Sequence, residues 1–152
     1  MIVTIRQGTP ADLVNVVDHY GPGDTPWDPF GDLVRLQGIP LEGLVIAEID
    51  GEYAGFLYWF MGENPWFDTG TQKFAYINEI HVLEKYQGQG IGRKLLTYTL
   101  EQLKNKTEPI YISTTENNVI ARHLYEDAGF REFSRSIHYK LEWDNKMNPE
   151  NE

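Results

Sequence analysis

Val82–Leu96, VLEKYQGQGIGRKLL, is the stretch on which the reading of this chain turns. An apolar strand ends there, a loop comes next with Gly88, Gly90 and Gly92 at every second position, and helical periodicity then takes over. Lacking Cβ, glycine lets the backbone approach a ligand closely and lets successive N–H groups point one way. The helix's first turn adds N–H groups with no intrahelical partner and the positive end of its dipole, a combination suited to pyrophosphate. A Walker loop would need Ser or Thr after Lys94, where Leu95 stands. A dinucleotide fingerprint would need a third glycine where Arg93 stands, on the first strand of a βαβ unit, whereas this loop comes after the fourth strand. A glycine-rich turn with no ligand is the plain alternative.

Working outward, Ile2–Arg6 alternates as a strand. Thr9-Pro10-Ala11-Asp12 is a helix start, succeeded by Leu13, Val16, Val17 and Tyr20 at helical spacing. Asp28-Pro29 repeats the signal for a shorter helix through Phe30, Leu33, Val34 and Leu36. Gly43–Asp50 and Tyr53–Met61 are apolar runs joined by Asp50-Gly51, a hairpin signal. Phe74–Leu83 predicts a strand, Gly90–Lys104 a helix, Pro109–Thr114 a strand, and Asn118–Ala128 a helix stopped by Gly129. Phe130–Phe133 and the alternation of Ile137, Tyr139, Leu141 and Trp143 predict two last strands. The order βαα-βββ-αβ-αββ gives a mixed α/β sheet with antiparallel hairpins at both ends. The polar ending DNKMNPENE lacks apolar partners, so the chain reads as a single domain over 1–144 with a tail at 145–152.

The 152 residues suit one domain of ordinary globular composition, 41% hydrophobic and 24% charged. Without cysteine there is no disulfide framework, thiolate metal site or cysteine nucleophile. The four histidines have no metal-ligand spacing, so no metal is expected. With 13 basic against 23 acidic residues, net charge −10, the chain lacks the basic surface that phosphate-backbone binding needs; no nucleic-acid partner is expected. No run spans a bilayer and the N-terminus lacks a signal-peptide pattern, so a cytoplasmic protein is the expectation.

Two motifs together carry a resemblance. Gln87-Gly88-Gln89-Gly90-Ile91-Gly92 matches the Gln/Arg-x-x-Gly-x-Gly/Ala loop of the GCN5-related N-acetyltransferase (GNAT) superfamily. Asn118, Ala121, Leu124, Tyr125, Gly129 and Phe130 match its later Asn-x-x-Ala-x-x-Leu-Tyr-x-x-x-Gly-Phe motif. The resemblance covers roughly residues 2–143 and implies an α+β-like GNAT fold: a twisted, mostly antiparallel sheet of about seven strands and about four helices. It also implies a splay between the strands near 75–83 and 109–114. The implied activity is transfer of an acetyl group from acetyl-CoA to a primary amine of a small molecule or a peptide or protein, in a ternary complex. A non-catalytic acyl-CoA sensor and a transferase of another acyl group are the alternatives.

By the same resemblance the acetyl-CoA contacts are Ile80, His81, Val82, Gln87, Gly88, Gln89, Gly90, Ile91, Gly92, Arg93, Asn118, Ala121 and Tyr125. Val82 N–H would polarise the thioester carbonyl, and Lys85 with Arg93 would add charge at the pyrophosphate. Tyr125 is the implied general acid and Glu79 the first candidate base, with His81, Glu84 and Glu116 as alternatives. Simple alternation puts Tyr76, Asn78, Ile80 and Val82 on one strand face and Glu79 and His81 on the other. Trp27 and Trp66, in loops with Asp24, Asp28 and Asp68, would suit a cationic acceptor. A homodimer is left open.

Overall fold

The computed structural model describes residues 1–20, 40–65, 70, 73–106 and 109–143. The helix expected after Asp28 and both loop tryptophans, Trp27 and Trp66, lie outside them, as does the 145–152 tail. The elements in chain order are β1 (Val3–Gln7), α1 (Leu13–Tyr20), β2 (Leu44–Ile49), β3 (Glu52–Glu63), β4 (Lys73–Val82), α2 (Ile91–Leu103), β5 (Ile110–Ile112) and α3 (Val119–Asp127). The strands form one sheet in sequential order, antiparallel throughout except for the β4–β5 pair.

The β2–β3 hairpin turns on Asp50 and Gly51, at φ of 51° and 83°. Positive φ at both central residues matches the right-handed twist of the flanking strands, which is why Asp-Gly is favoured there. Two apolar layers cover the sheet. On one face Ile91, Leu95, Leu96 and Leu103 of α2 bury against Val45, Ala47, Leu57, Trp59, Ala75 and Ile77. On the other, Val16 of α1 meets Leu44, Ile46, Phe56 and Tyr58. Asp12 anchors the start of α1. Its carboxylate accepts two bonds from Arg6 at 2.8 Å and one each from the Thr9 N–H and hydroxyl, at 2.7 and 3.0 Å.

Three expectations change. The described residues hold five strands where about seven were expected; they hold three helices, the expected fourth lying outside them. Neither Phe130–Phe133 nor Ile137–Trp143 is a strand: from Phe130 to Trp143 there is no helix, turn, bend or ladder, because no strand among the described residues forms a ladder with it. The face assignment on β4 also fails. The register passes from Tyr58↔Glu79 to Trp59↔Ile77, so Asn78 is an extra residue, a bulge that inverts the alternation beyond it. Tyr76 therefore shares a face with Glu79 and His81, opposite Phe60, Tyr58 and Phe56, while Ile77, Ile80 and Val82 lie on the α2 side.

Candidate active site

The sheet forks between β4 and β5. Their ladder runs only from Ala75↔Ile110 to Ile77↔Ile112, while β4 continues to Val82 beside β3. The splay expected between these strands is thus present, and the bulge at Asn78 sits at its root. A hydrogen bond of 2.7 Å from the Tyr76 hydroxyl to Ser113 Oγ spans the two strands there; neither residue stood out in the sequence, where a strand tyrosine and a loop serine carry no pattern.

Backbone polarity along the fork is set by one bond. Leu83 N–H donates to Ala54 O at 2.8 Å. Hydrogen-bonded and non-bonded pairs alternate in an antiparallel ladder. Glu79 and His81 consequently turn their amide groups to β3, and Ile80 and Val82 turn theirs into the fork. Of the three consecutive residues expected to meet the co-substrate through backbone, His81 faces the wrong way. A bound chain carrying amides can pair with the exposed groups of Ile80 and Val82 as a further strand would.

The fork opens onto the glycine loop. Gln87 Nε2 donates to Val82 O at 2.9 Å and ties the loop to the end of β4. Gly88 and Gly90 adopt φ of 79° and 82°, left-handed conformations costly to residues with a Cβ. The first bond of α2 is from Lys94 N–H to Gly90 O at 3.0 Å, and no side chain caps the helix. The N–H groups of Ile91, Gly92 and Arg93 are therefore free of intrahelical acceptors and gathered at the positive end of the dipole. The arrangement fits an anion of the pyrophosphate kind. Arg93 itself pairs with Asp127 at 3.1 Å, both about half exposed, which ties α2 to α3. Lys85 lies over the ring of Tyr86, 4.9 Å from its centroid.

α3 closes the site. Asn118 Oδ1 accepts from Ala121 N–H at 3.1 Å, so Asn118 caps the helix. A methyl added at Gly92 would sit 3.8 Å from Leu124 and 4.0 Å from Ile80 and Val82, which places α3 and β4 on either side of the α2 start. Tyr125 packs on the α2-side core, its ring 6.2 Å from Phe130. Burial, then the nearby Glu79 carboxylate and Tyr76, push its hydroxyl up to about 12. Tyr125, Glu79 and Tyr76 are thus within electrostatic reach of one another, although Tyr125 and Glu79 come from opposite faces of the sheet. His81 lies against Phe56, ring centroids 5.9 Å apart, and burial lowers its pKa below the ordinary imidazole value. Glu116 is engaged elsewhere, accepting from Arg135 at 2.7 Å. Glu84 is exposed on a 3-10 turn over Glu84–Tyr86.

A family model described as Acetyltransferase (GNAT) family matches residues 13–130. The chain belongs to the GNAT family. Among this GNAT protein's curated relatives is an N-alpha-acetyltransferase of Sulfurisphaera tokodaii, 31% identical over 100 residues, which are 62% of this chain and 59% of that protein. A spermine/spermidine N(1)-acetyltransferase of Bacillus subtilis is 32% identical over 85 residues, 54% of this chain and 55% of that one. The matched part spans under two thirds of these relatives' length. Among solved structures, AAC(6')-Iy in complex with the bisubstrate analog CoA-S-monomethyl-acetylneamine superposes with a TM-score of 0.68 at 20% identity, covering 94% of this chain and all of that one. That likeness establishes the fold. Among the described residues of the GNAT chain, no group of three or more His, Asp or Glu is placed to hold a metal ion, and no helix is long and apolar enough to cross a membrane.

Proposed function

We propose that this GNAT chain is an acetyl-CoA-dependent N-acetyltransferase that passes the acetyl group directly to a primary amine in a ternary complex. The observation that carries the reading is the fork. The amides of Ile80 and Val82 face into it, the open N–H groups of Ile91–Arg93 end it, and Tyr125 lies within electrostatic reach of Glu79. Acetyl-CoA, as co-substrate, supplies the activated acyl group. Ile80 would pair with the pantetheine amides, and Val82 N–H, which also faces the fork, would polarise the thioester carbonyl as its oxygen gains charge. The loop Gln87–Arg93 holds the pyrophosphate.

The C–N bond forms as the C–S bond breaks, and the amine must shed a proton. Glu79 is the best-placed acceptor for it, directly or through water, because its side chain shares the face of Tyr76 and His81 while standing beside the fork. With its lowered pKa His81 is neutral at neutral pH and is the second candidate. Tyr125 stays protonated and donates a hydrogen bond to the departing sulfur. The net charge of −10 favours cationic amines near the surface, as does the similarity to a protein named for spermine and spermidine. Trp27 and Trp66 are retained as acceptor contacts on sequence grounds alone.

The test is free-thiol release from acetyl-CoA across polyamines, aminoglycosides, amino acids and short peptides. Amine-dependent release by one class supports the reading and names the acceptor. Binding of acetyl-CoA with no release for any amine would favour an acyl-CoA sensor, and amine-dependent release only from a longer acyl-CoA would favour another acyl group.

A further inference from the structure

On the α1 side of the sheet, β3 presents Phe56, Tyr58 and Phe60 in turn, opposite His81, Glu79 and Tyr76 of β4. Phe56 and Tyr58 are buried in the layer that Val16 of α1 completes. Phe60, the next residue on that face, is 38% exposed. A single exposed ring needs no explanation in itself, but this one has a partner. Its centroid lies 5.6 Å from that of Tyr76, the planes tilted by 30°, within the range of favourable aromatic pairs. Tyr76 is held in turn by its hydroxyl, which donates to Ser113 Oγ at 2.7 Å across the root of the fork. The two rings therefore make a fixed apolar surface that starts where the α1 cover ends.

The bulge at Asn78 gives that surface its chemical setting. By putting Tyr76 and Glu79 on one face, it sets a carboxylate beside the rings at the lip of the fork. Glu79 is the only acidic residue within 56–60 and 76–81, the stretches that build this wall. A polyamine or an aminoglycoside carries several ammonium groups, of which Glu79 can neutralise one. The others would exchange water for ring faces with no counter-charge. An amine with one charge and an apolar body matches both features at once. Phe60 stands one strand beyond β4, about 4.8 Å further from the fork, a distance that a short alkyl chain between nitrogen and body covers.

Resting on the acetyltransfer reading above, we infer that the acceptor is a primary monoamine joined by a short chain to a flat apolar group, its nitrogen at Glu79 and its flat group over Phe60 and Tyr76. Phe60 is then a specificity-determining residue one strand away from the chemistry. It holds the body of the acceptor while Glu79 holds the nitrogen at the fork.

Initial rates of thiol release from acetyl-CoA by the full chain, with 2-phenylethylamine, ethylamine and spermidine, test this. The kcat/KM for 2-phenylethylamine should exceed that for ethylamine by ~10-fold or more, the scale on which apolar contacts discriminate, with the gain in KM. Spermidine should rank below 2-phenylethylamine. Phe60→Ala and Phe60→Thr, the second keeping a strand-favouring residue, should each cut the ratio between the two monoamines several-fold, and Phe60→Tyr should preserve it. Both amines are read on one preparation, so a loss of folded protein scales both rates and leaves the ratio. Equal kcat/KM for the two monoamines, a preference for spermidine, or a ratio that survives both Phe60→Ala and Phe60→Thr would overturn the inference alone. No thiol release with any amine would overturn the acetyltransfer reading and this inference with it.

Discussion

Tyr125 is raised to about 12 chiefly by burial, well above the ~8.5 of an ordinary thiol. Complete transfer of its proton to a thiolate would run uphill, whereas a hydrogen bond to the sulfur as charge develops carries no such cost. Tyr125→Phe keeps the ring against Phe130 and removes that bond. Turnover should fall by ~10²–10⁴ while the dissociation constant of acetyl-CoA changes little. Lost affinity with intact turnover would make the hydroxyl a binding contact. Glu79→Gln acts on the other reactant. A lysine-type amine, with a pKa near 10.4, is mostly protonated at neutral pH, so the loss should be largest there and shrink as pH approaches ~10. A fractional loss equal at every pH would make Glu79 an orienting group and pass the base role to His81 or water. Asp12 shows a purely structural use of charge. Hydrogen bonds from Arg6, and secondarily from Thr9, lower its pKa from 3.8 to about 2. That stabilisation is complete above the unfolded value and is lost as pH falls through the folded one, amounting to about 2 kcal/mol. Asp12→Asn should lower the Tm by roughly 4–8 °C on that basis, measured by calorimetry at pH 7, and leave acetyl-CoA affinity unchanged.

The helices and the hairpin were legible because each has a local cause that no distant contact overrides. Pro10 after Thr9, Asp50-Gly51 and the spacing of Ile91, Leu95 and Leu96 mark their elements within a residue or two of where they lie. β4 was legible as a strand but not as a pair of faces. The bulge at Asn78 arises from the mismatch with β3, which no alternation within β4 reveals, and it moves Tyr76 to the face of Glu79. The last two strands failed for the opposite reason. The alternation of Ile137 to Trp143 is real, but a strand needs a neighbour, and the described chain supplies none. In the glycine loop the function of Gly90 rests on its φ of 82°, since a Cβ there would meet nothing within 4 Å. The penalty for Gly90→Val is therefore backbone strain of roughly 1–3 kcal/mol, relieved by turning the loop's N–H groups away from their common direction. Titration should find acetyl-CoA bound at least ~10-fold more weakly with the Tm lowered by only a few degrees. Unchanged affinity would make the loop a turn and nothing more.

As a unit, the fold brings distant parts of the chain to one fork: β4 from the middle, the α2 start just after it, and Tyr125 from near the end of the matched family segment. Both motifs were readable in sequence, and so was the family they resemble, because the motifs occupy contiguous stretches. The face of β4 that carries Glu79 beside Tyr76 was not, since it depends on the bulge at Asn78. In the proposed reaction an acidic chain would bind an acidic co-substrate, and the positive end available for it is the N-terminus of α2, not net charge. Acetyl-CoA binding is the claim on which the rest depends, and calorimetric melting of the full chain with and without acetyl-CoA tests it most directly. At a hundredfold excess over the dissociation constant the fold should gain ~2.7 kcal/mol by mass action, a rise in Tm of several degrees. An unchanged Tm at millimolar acetyl-CoA would contradict the account.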